Sequence, residues 1–215
     1  QFEDQALYLD GRNNAVITGD DAVTLTEDAA LVLDTAVLTA NDVDLDGDTF
    51  AVTAVASDDI GISLDNGEVT IDPNGAFEAL AVGETREVTA SYTTTDANGA
   101  VSNGQIAVTV TGENDGPVAV ADTNATEEEV AVSGNVLVND SDVDNGAVLK
   151  VQAVAGQNAN VGETVDLPSG AQVTIQSDGS YVYNPLNAFA WLGLNLTTTD
   201  TVSYTVTDEH GATST

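Results

Sequence analysis

The chain contains one unit of about 100 residues twice, and this internal repeat constrains the fold more than any other feature. The back halves of the two copies align without gaps at a constant separation of 112 positions, so that Tyr92 matches Tyr204. The front halves are 98 to 102 positions apart, which indicates residues inserted in the second copy, in a predicted loop around 156–162. The repeat therefore predicts two tandem modules of one fold, joined by a short linker at 111–117, where Gly and Pro occur.

Between turn signals, apolar and polar residues alternate over short runs. Alternation with period two, in runs rich in Val, Thr, Ile and Tyr, is typical of half-buried strands. The clearest runs are 51–55, 68–71, 87–92, 106–110, 150–154, 172–175, 180–183 and 202–206. Helical periodicity is nearly absent, and Asn-Gly pairs supply the positive-φ turns that hairpins need. The pattern predicts an all-β fold in which each copy is a β-sandwich of about seven strands.

The charge balance of the chain is extreme. It has 36 Asp and Glu residues against three Lys and Arg, and a formal net charge of −33. Such a field repels nucleic acid and anionic membrane surfaces, so we expect neither as a direct partner. A hydrophobic content of 42% indicates a folded protein rather than a disordered acidic tail. No Cys and a single His disfavour zinc and copper sites.

An acidic run stands at the matching place in each copy, Asn41–Asp48 in the first and Asn139–Gly146 in the second. Like charges about 4 Å apart repel by about 4 kcal/mol at an effective dielectric of 20. The three basic side chains cannot neutralise these runs, so a cation from solution must do so. Oxygen ligands on short, loop-borne side chains suit Ca²⁺, which takes about six to eight of them in flexible geometry.

Five motifs follow one another along the first copy, at 15–19, 26–28, 77–85, 92–100 and 110–115. Together they resemble the VCBS and bacterial cadherin-like repeats that form long extracellular arms of RTX-type surface adhesins. The resemblance implies two tandem Ig/cadherin-like β-sandwich modules on the outside of a bacterial cell. It also implies Ca²⁺ at or near the junctions, with neighbouring repeats of the same polypeptide as partners.

The candidate calcium ligands lie on the acidic runs, the turns after Tyr92 and Tyr204, the linker, and the turn that follows the first predicted strand. They are Glu27, Asp28, Asp42, Asp44, Asp46, Asp96, Glu113, Asn114, Asp115, Asp140, Asp142, Asp144 and Asp208. One arrangement is an ion shared by both modules and the linker, which would fix their relative angle. A second is a self-contained loop, because Asp42-x-Asp44-x-Asp46 matches the first half of an EF-hand pattern, although Thr53 stands where that pattern needs Glu. A third is a solvated acidic loop without an ordered ion.

These features predict a calcium-rigidified extender segment of a large secreted bacterial adhesin, acting in cell adhesion and biofilm formation. The alternative is a carbohydrate-binding or cell-contact module of a marine polysaccharide-associated protein, with glycans or another cell surface as partner and Trp191 as a stacking residue. A third interpretation is a fragment of an acidic halophilic enzyme. We do not expect enzyme activity, because the paired carboxylates recur in turns of both modules and catalytic sites are seldom duplicated in this way.

The predicted boundaries divide the chain into three parts. They are a closing strand or linker of a preceding module at 1–14, a first sandwich at 15–115, and a second sandwich at 116–215 that lacks its last strand. Gly11 aligns with Gly112, so Ala6–Leu9 correspond to the closing strand of the first module. We expect Ala6–Leu9 of one molecule to dock, head to tail, at the vacant edge of the second module of another. The alternative is that both ends fray.

The two linkers differ in charge. Arg12 and Asn14 stand where the second linker has Glu113 and Asp115. Two carboxylates are therefore missing beside the first acidic run. We expect weaker calcium binding there than between the modules.

Overall fold

The structure, a computed structural model, describes residues 12–215. The predicted docking strand Ala6–Leu9 lies outside these residues. The chain folds as two compact units, the first extending to Glu113 and the second running from Asn114 to Thr215. Each unit contains two β-sheets, so the predicted all-β fold with two tandem sandwich modules is confirmed.

The first unit has seven strands among its described residues. They are β1 (Asp21–Thr26), β2 (Leu31–Asp34), β3 (Phe50–Ala56), β4 (Gly61–Asp65), β5 (Glu68–Asp72), β6 (Thr85–Asp96) and β7 (Val101–Thr111). One sheet has the order β1-β7-β6-β3 and the other the order β2-β5-β4. β1 pairs in parallel with β7 from Asp21 opposite Ile106 to Thr26 opposite Thr111, and every other pairing of the unit is antiparallel.

The core of the first unit lies between these two sheets. Ile106, Val108 and Val110 on β7 are fully buried, and Val69 and Ile71 face them from the second sheet. Inward residues alternate along β6, and the same alternation continues to its last residue. The period-two pattern of the sequence therefore corresponds to one buried face of each strand.

The second unit also has seven strands. They are β8 (Val132–Asn135), β9 (Lys150–Val154), β10 (Thr164–Asp166), β11 (Gln172–Ile175), β12 (Ser180–Asn184), β13 (Tyr204–Thr207) and β14 (Thr213–Ser214). Its sheets have the orders β10-β11-β12-β8 and β14-β13-β9. The predicted loop around 156–162 contains the 3₁₀ turn Asn158–Asn160, and β10 follows it, adding a strand to the edge of one sheet through antiparallel pairing with β11.

The sheet of the second unit that corresponds to β1-β7-β6-β3 is much smaller. β13 has four residues where β6 has twelve, and β14 begins at Thr213, two residues before the sequence ends. Residues 122–127, the counterpart of β1, form no strand.

Helices are short in both units. α1 (Thr35–Leu38) begins at Asp34, whose side chain accepts a hydrogen bond from the Ala36 N–H, and it buries Leu38 against the core. Single 3₁₀ turns occur at Thr39–Asn41 and Asn158–Asn160. Within residues 12–215, no helix has the length and apolar character needed to cross a membrane.

Candidate metal centre

The acidic run of the first unit forms a compact loop. Asp44, Asp46 and Asp48 each offer one carboxylate oxygen, and these oxygens lie within 4.8 Å of one another. The loop is shaped by its own backbone, because the N–H groups of Asp46 and Asp48 donate to Asp44 Oδ1 at 2.8 and 3.3 Å. Gly47 completes the turn at a φ of 79°, a conformation that side chains rarely adopt.

Asparagine amides surround this loop and occupy several of its carboxylate oxygens. Asn14 donates its side-chain N–H to Asp46 Oδ1 at 3.0 Å and its backbone N–H to Asp46 Oδ2. Asn13 donates to Asp96 Oδ2 at 2.9 Å, and Asn98 donates to Asp48 Oδ2. The first acidic loop is therefore partly neutralised by hydrogen bonds from uncharged side chains.

The end of β6 contributes Asp96 to the same loop cluster. Burial raises the pKa of Asp96, but hydrogen bonds from the Asn13 side chain and from the backbone of Ala100, Asn98 and Gly99 outweigh it. The net pKa is lower than the usual aspartate value. Asp96 is therefore ionised at neutral pH, as a calcium ligand must be.

Asp42, the first aspartate of the run, points into the core. Gly19 N–H and Tyr92 O–H donate to its Oδ1 at 2.9 and 2.8 Å. Its counterpart Asp140 accepts from Val120 N–H at 2.7 Å and lies 3.4 Å from the Tyr204 hydroxyl. Both predicted ligands thus lie on the inner side of their loops.

The second unit repeats the outer hydrogen bonds. Asn114 Nδ2 donates to Asp208 Oδ2 at 2.9 Å, as Asn13 does to Asp96. Asp115 N–H donates to Asp144 Oδ2 at 3.1 Å, in the place of the bond from Asn14 to Asp46. Asp144 N–H in turn donates to Asp142 Oδ1 at 3.1 Å. The structure thus brings together Asn114, Asp115, Asp142, Asp144 and Asp208, all predicted ligands, at one place in the second unit.

The electrostatics of this cluster reflect crowding of negative charge. Burial raises the pKa of Asp144, and the charges of Asp142 and Asp208 raise it further, against the lowering effect of the Asp115 N–H and His210. Burial also raises the pKa of Asp208, but hydrogen bonds from Asn114 and from three backbone N–H groups leave it below its usual value. A cation among these oxygens would relieve the repulsion that Asp144 experiences.

The donor set of both units fits Ca²⁺. Several carboxylate and amide oxygens are buried without a hydrogen-bond partner: Asp42 Oδ2 and Asp44 Oδ2 in the first unit, and Asn114 Oδ1, Asp142 Oδ2 and Asp144 Oδ1 in the second. A buried oxygen without a partner costs about 1–3 kcal/mol, and more when it is charged. Hard oxygen ligands of this kind are the ones that Ca²⁺ prefers.

The remaining predicted ligands are Glu27 and Asp28, which follow β1, and Glu113, the last residue of the first unit. Glu27 is buried, and its Oε1 accepts from Glu113 N–H at 2.9 Å. Asp28 is exposed in the turn after β1. Whether these residues share an ion with the second unit stays a prediction.

Sequence reasoning missed several participants. Asp48, Asn13 and Asn98 belong to the first loop cluster, and Asp21 and Asp122 lie near Tyr92 and Tyr204 respectively. The sequence did contain one indication of the tyrosines' place in the site: Tyr92 and Asp96 are four residues apart, and Tyr204 and Asp208 repeat this spacing. Residues four apart on a strand lie on the same face.

Comparison with known protein families supports the architecture. Residues 114–215 match the family described as bacterial cadherin-like domain, and residues 13–109 match the family described as bacterial Ig domain. No curated protein sequence matches the chain. The chain thus contains one Ig-like and one cadherin-like domain.

A solved structure described as protocadherin gamma B2 extracellular cadherin domains 3–6 has a similar fold, with 18% identity, a TM-score of 0.50 and 93% of this chain covered. The protocadherin gammaB7 EC3-6 cis-dimer has 18% identity, a TM-score of 0.42, and covers 94% of this chain and 46% of its own. Titin domains Z1Z2 in complex with telethonin have 13% identity, a TM-score of 0.30, and cover 80% of this chain and 81% of their own. The chain spans 45% of the length of the gamma B2 structure.

Proposed function

We propose that this chain is a calcium-rigidified extender segment of a large secreted bacterial adhesin, with a role in cell adhesion and biofilm formation. Its two modules act as spacers that hold a binding region away from the cell surface. Ca²⁺ bound at the acidic loops fixes the loops and the linker. Neighbouring repeats of the same polypeptide are the principal partners.

One observation carries this proposal. The same hydrogen-bonded frame of an Asn, a loop aspartate and a strand-end aspartate occurs in both units, and in both it leaves buried oxygens without a protein partner. A frame that is duplicated in this way belongs to the repeat itself rather than to one specialised site. A property of every repeat suits a structural role, whereas a ligand-binding tip needs only one site.

The kind of domain supports the same conclusion. Ig-like and cadherin-like domains are typically structural, non-enzymatic and extracellular, and cadherin-like domains generally bind calcium. The strongly acidic surface suits a setting where Ca²⁺ is abundant, because extracellular modules bind it with Kd values of about 10⁻⁴ to 10⁻³ M. A cytosolic concentration far below this range would leave such sites empty.

The experiment is a calcium titration followed by small-angle X-ray scattering and thermal unfolding. We expect Ca²⁺ to reduce the spread of interdomain distances and to raise the Tm over the same concentration range. Mg²⁺ at equal ionic strength is the control, because it dehydrates reluctantly and demands octahedral geometry. Unchanged scattering and unchanged Tm at 10 mM Ca²⁺, a concentration about tenfold above that Kd range, would refute the proposal.

A second candidate function is contact with a glycan or another cell surface. The loop after β12 is anchored in the core by Phe189 and Leu192, yet it exposes Trp191 by 68%, Leu194 by 92% and Leu196 by 63%. The first unit has Ala79, Val82 and Glu84 at these positions. The second unit thus presents three larger apolar side chains on a matching loop.

Exposed apolar groups clustered on one loop are typical of an interaction surface. Trp191 could stack on a sugar ring, and its indole N–H donates to Ala188 O at 3.1 Å, which fixes the ring on the loop. Glycan-array binding that is lost in Trp191→Ala and kept in Trp191→Phe would favour this function over the extender. Absence of binding on the array would leave the extender as the better account.

A further inference from the structure

A tyrosine hydroxyl lies beside the first aspartate of each acidic run. In the first unit, Tyr92 on β6 is fully buried, and its O–H donates to Asp42 Oδ1 at 2.8 Å. The carbonyl oxygens of Gly19 and Leu38 lie 3.1 and 3.3 Å from the same hydroxyl, and the nearby charge of Asp21 helps to raise the pKa of Tyr92. The hydroxyl is therefore surrounded by acceptors, of which Asp42 is the nearest.

The tyrosine connects two parts of the candidate calcium site. Asp42 begins the loop that carries Asp44, and Asp96 ends the strand that carries Tyr92. Tyr92, Thr94 and Asp96 all belong to the buried face of β6. The hydrogen bond to Asp42 thus ties the acidic loop to the strand that presents Asp96.

The second unit contains the same connection. The Tyr204 hydroxyl lies 2.8 Å from Asp122 Oδ2, 3.0 Å from Val136 O and 3.4 Å from Asp140 Oδ2. β13 begins at Tyr204 and ends at Thr207, and Asp208 is the next residue. The loops themselves have diverged, since Ser141 replaces Val43 and Asn145 replaces Gly47. The tyrosine and its two carboxylates are retained although the loop around them differs.

The chemistry of the hydroxyl suits a permanent donor. Burial raises the pKa of Tyr92 far above its usual value, and the bond and charge of Asp42 add to this effect. Burial likewise raises the pKa of Tyr204, with Asp122 and Asp140 adding to it. Each hydroxyl has a single proton, and its nearest acceptor is a carboxylate oxygen at 2.8 Å, on Asp42 for Tyr92 and on Asp122 for Tyr204.

We infer that Tyr92 and Tyr204 are positioning residues of the calcium sites. Tyr92 acts through Asp42, the first aspartate of its acidic run, and Tyr204 lies against Asp122 and Asp140, the counterpart of Asp42. Each sets the position of the loop ligands relative to the strand-end aspartate. The inference rests on the proposed function. Without the hydroxyl, repulsion among the loop carboxylates would spread the loop, and Ca²⁺ would have to restore its geometry on binding.

The test is the substitution Tyr92→Phe in the full chain, which keeps the ring in the core and removes the hydroxyl. Calcium affinity is measured for each unit by NMR, from the amide signals of Gly47 and Gly146, which lie in the two acidic runs at φ 79° and 77°. We expect about tenfold weaker affinity at Gly47 and unchanged affinity at Gly146, since removing a hydrogen bond to a metal-binding carboxylate typically costs about 10- to 100-fold. Tyr204→Phe should produce the reverse pattern.

Tyr183→Phe is the matched control. Tyr183 also donates to a carboxylate, Asp200 Oδ2 at 3.0 Å, and burial raises its pKa to about 12, but Asp200 lies outside both acidic runs. It should change the Tm in chelator without changing either calcium affinity.

The inference is overturned if Tyr92→Phe and Tyr204→Phe bind calcium as the wild type does, or if Tyr183→Phe weakens binding equally. If Tyr92→Phe does not fold, the Tyr204→Phe result alone decides between these outcomes, because Tyr204 is only partly buried. A wild-type protein that binds no calcium would instead refute the proposed function.

Discussion

The two units differ most in how they neutralise equivalent aspartates. In the first, both oxygens of Asp46 accept hydrogen bonds from Asn14, an uncharged residue. In the second, Asp115 stands at the position of Asn14, and Asp144 Oδ1 is buried without a hydrogen-bond partner. The same backbone hydrogen bond to the loop aspartate occurs in both units, although the residue that donates it is uncharged in one and an aspartate in the other. The hydrogen-bond geometry of the site therefore does not depend on the charge of the linker residue.

This difference bears on how far each unit depends on a cation. Asp144 has a buried oxygen that lacks a hydrogen-bond partner, whereas both oxygens of its counterpart Asp46 have one. We expect the second unit to depend on calcium more than the first does.

Chelation should produce the largest effect. Removing Ca²⁺ should lower the Tm of both units, because binding to the native state alone stabilises it by about 2.7 kcal/mol per site at a hundredfold excess over Kd. Calorimetry with and without chelator should show the larger shift for the transition of the second unit. Equal shifts would remove the difference that we draw between the two loops.

Asp142→Ala tests the same difference from within the second unit. The substitution removes a carboxylate with a buried oxygen that has no hydrogen-bond partner, so it should weaken calcium binding at Gly146 by more than tenfold, about 1.4 kcal/mol or more. Asp178→Ala, which removes an exposed carboxylate in a turn outside the site, is the control for loss of charge. Similar affinities in the two variants would exclude Asp142 as a ligand.

Deleting residues 1–11 tests the sequence prediction for Ala6–Leu9. If that segment docks at the edge of the second unit in another molecule, light scattering should show concentration-dependent association that the deletion abolishes. A variant with Leu7→Asp and Leu9→Asp keeps the chain length and should behave as the deletion does. Monomers at all concentrations, before and after deletion, would contradict the docking prediction.

Exchanging the linker residues Asn14 and Asp115 should change calcium affinity by a smaller amount, with an increase in the first unit and a decrease in the second. Asn14→Asp should strengthen calcium binding at the first loop and Asp115→Asn should weaken it at the second, each by about 1 kcal/mol, the interaction of two unit charges about 4 Å apart in water. The change should decrease at high salt. If Asn14→Asp weakens binding, the linker does not contribute a ligand at that position.

Trp191→Ala should have the smallest effect on folding. Its side chain is 68% exposed, so the free energy of unfolding should change by less than about 0.5 kcal/mol. Phe189→Ala, two residues away and buried, should cost about 3–5 kcal/mol. A large loss in Trp191→Ala would show that the exposed loop supports the sandwich rather than a contact surface.

Much of the fold could be predicted because it depends on alternation. All eight alternating runs overlap observed strands, although the run at 202–206 becomes regular only from Tyr204, where β9 provides a partner. α1 was missed because four residues show no helical period. β10 was missed because its three residues are too few to show alternation.

The candidate sites could be predicted only in part. Aspartates at every second position indicated cation binding, but the sequence does not show which of them face the core. The orientation of Asp42 depends on Tyr92, which is 50 residues away along the chain. The amide donors Asn13 and Asn98 were missed for the same reason, since their role depends on contacts across the loops.

The parallel pairing of β1 with β7 determines how the first unit responds to tension along the chain. The polypeptide enters β1 at Asp21 and leaves β7 at Thr111, which lie at opposite ends of the same strand pair. Pulling these two points apart loads all six residue pairs from Asp21–Ile106 to Thr26–Thr111 in shear at once. Because unfolding under force is governed by the rate of unfolding, a pair that must break as a whole resists better than one that opens bond by bond. The strand that completes the core of the first unit therefore also lies where a stretched chain would first be strained.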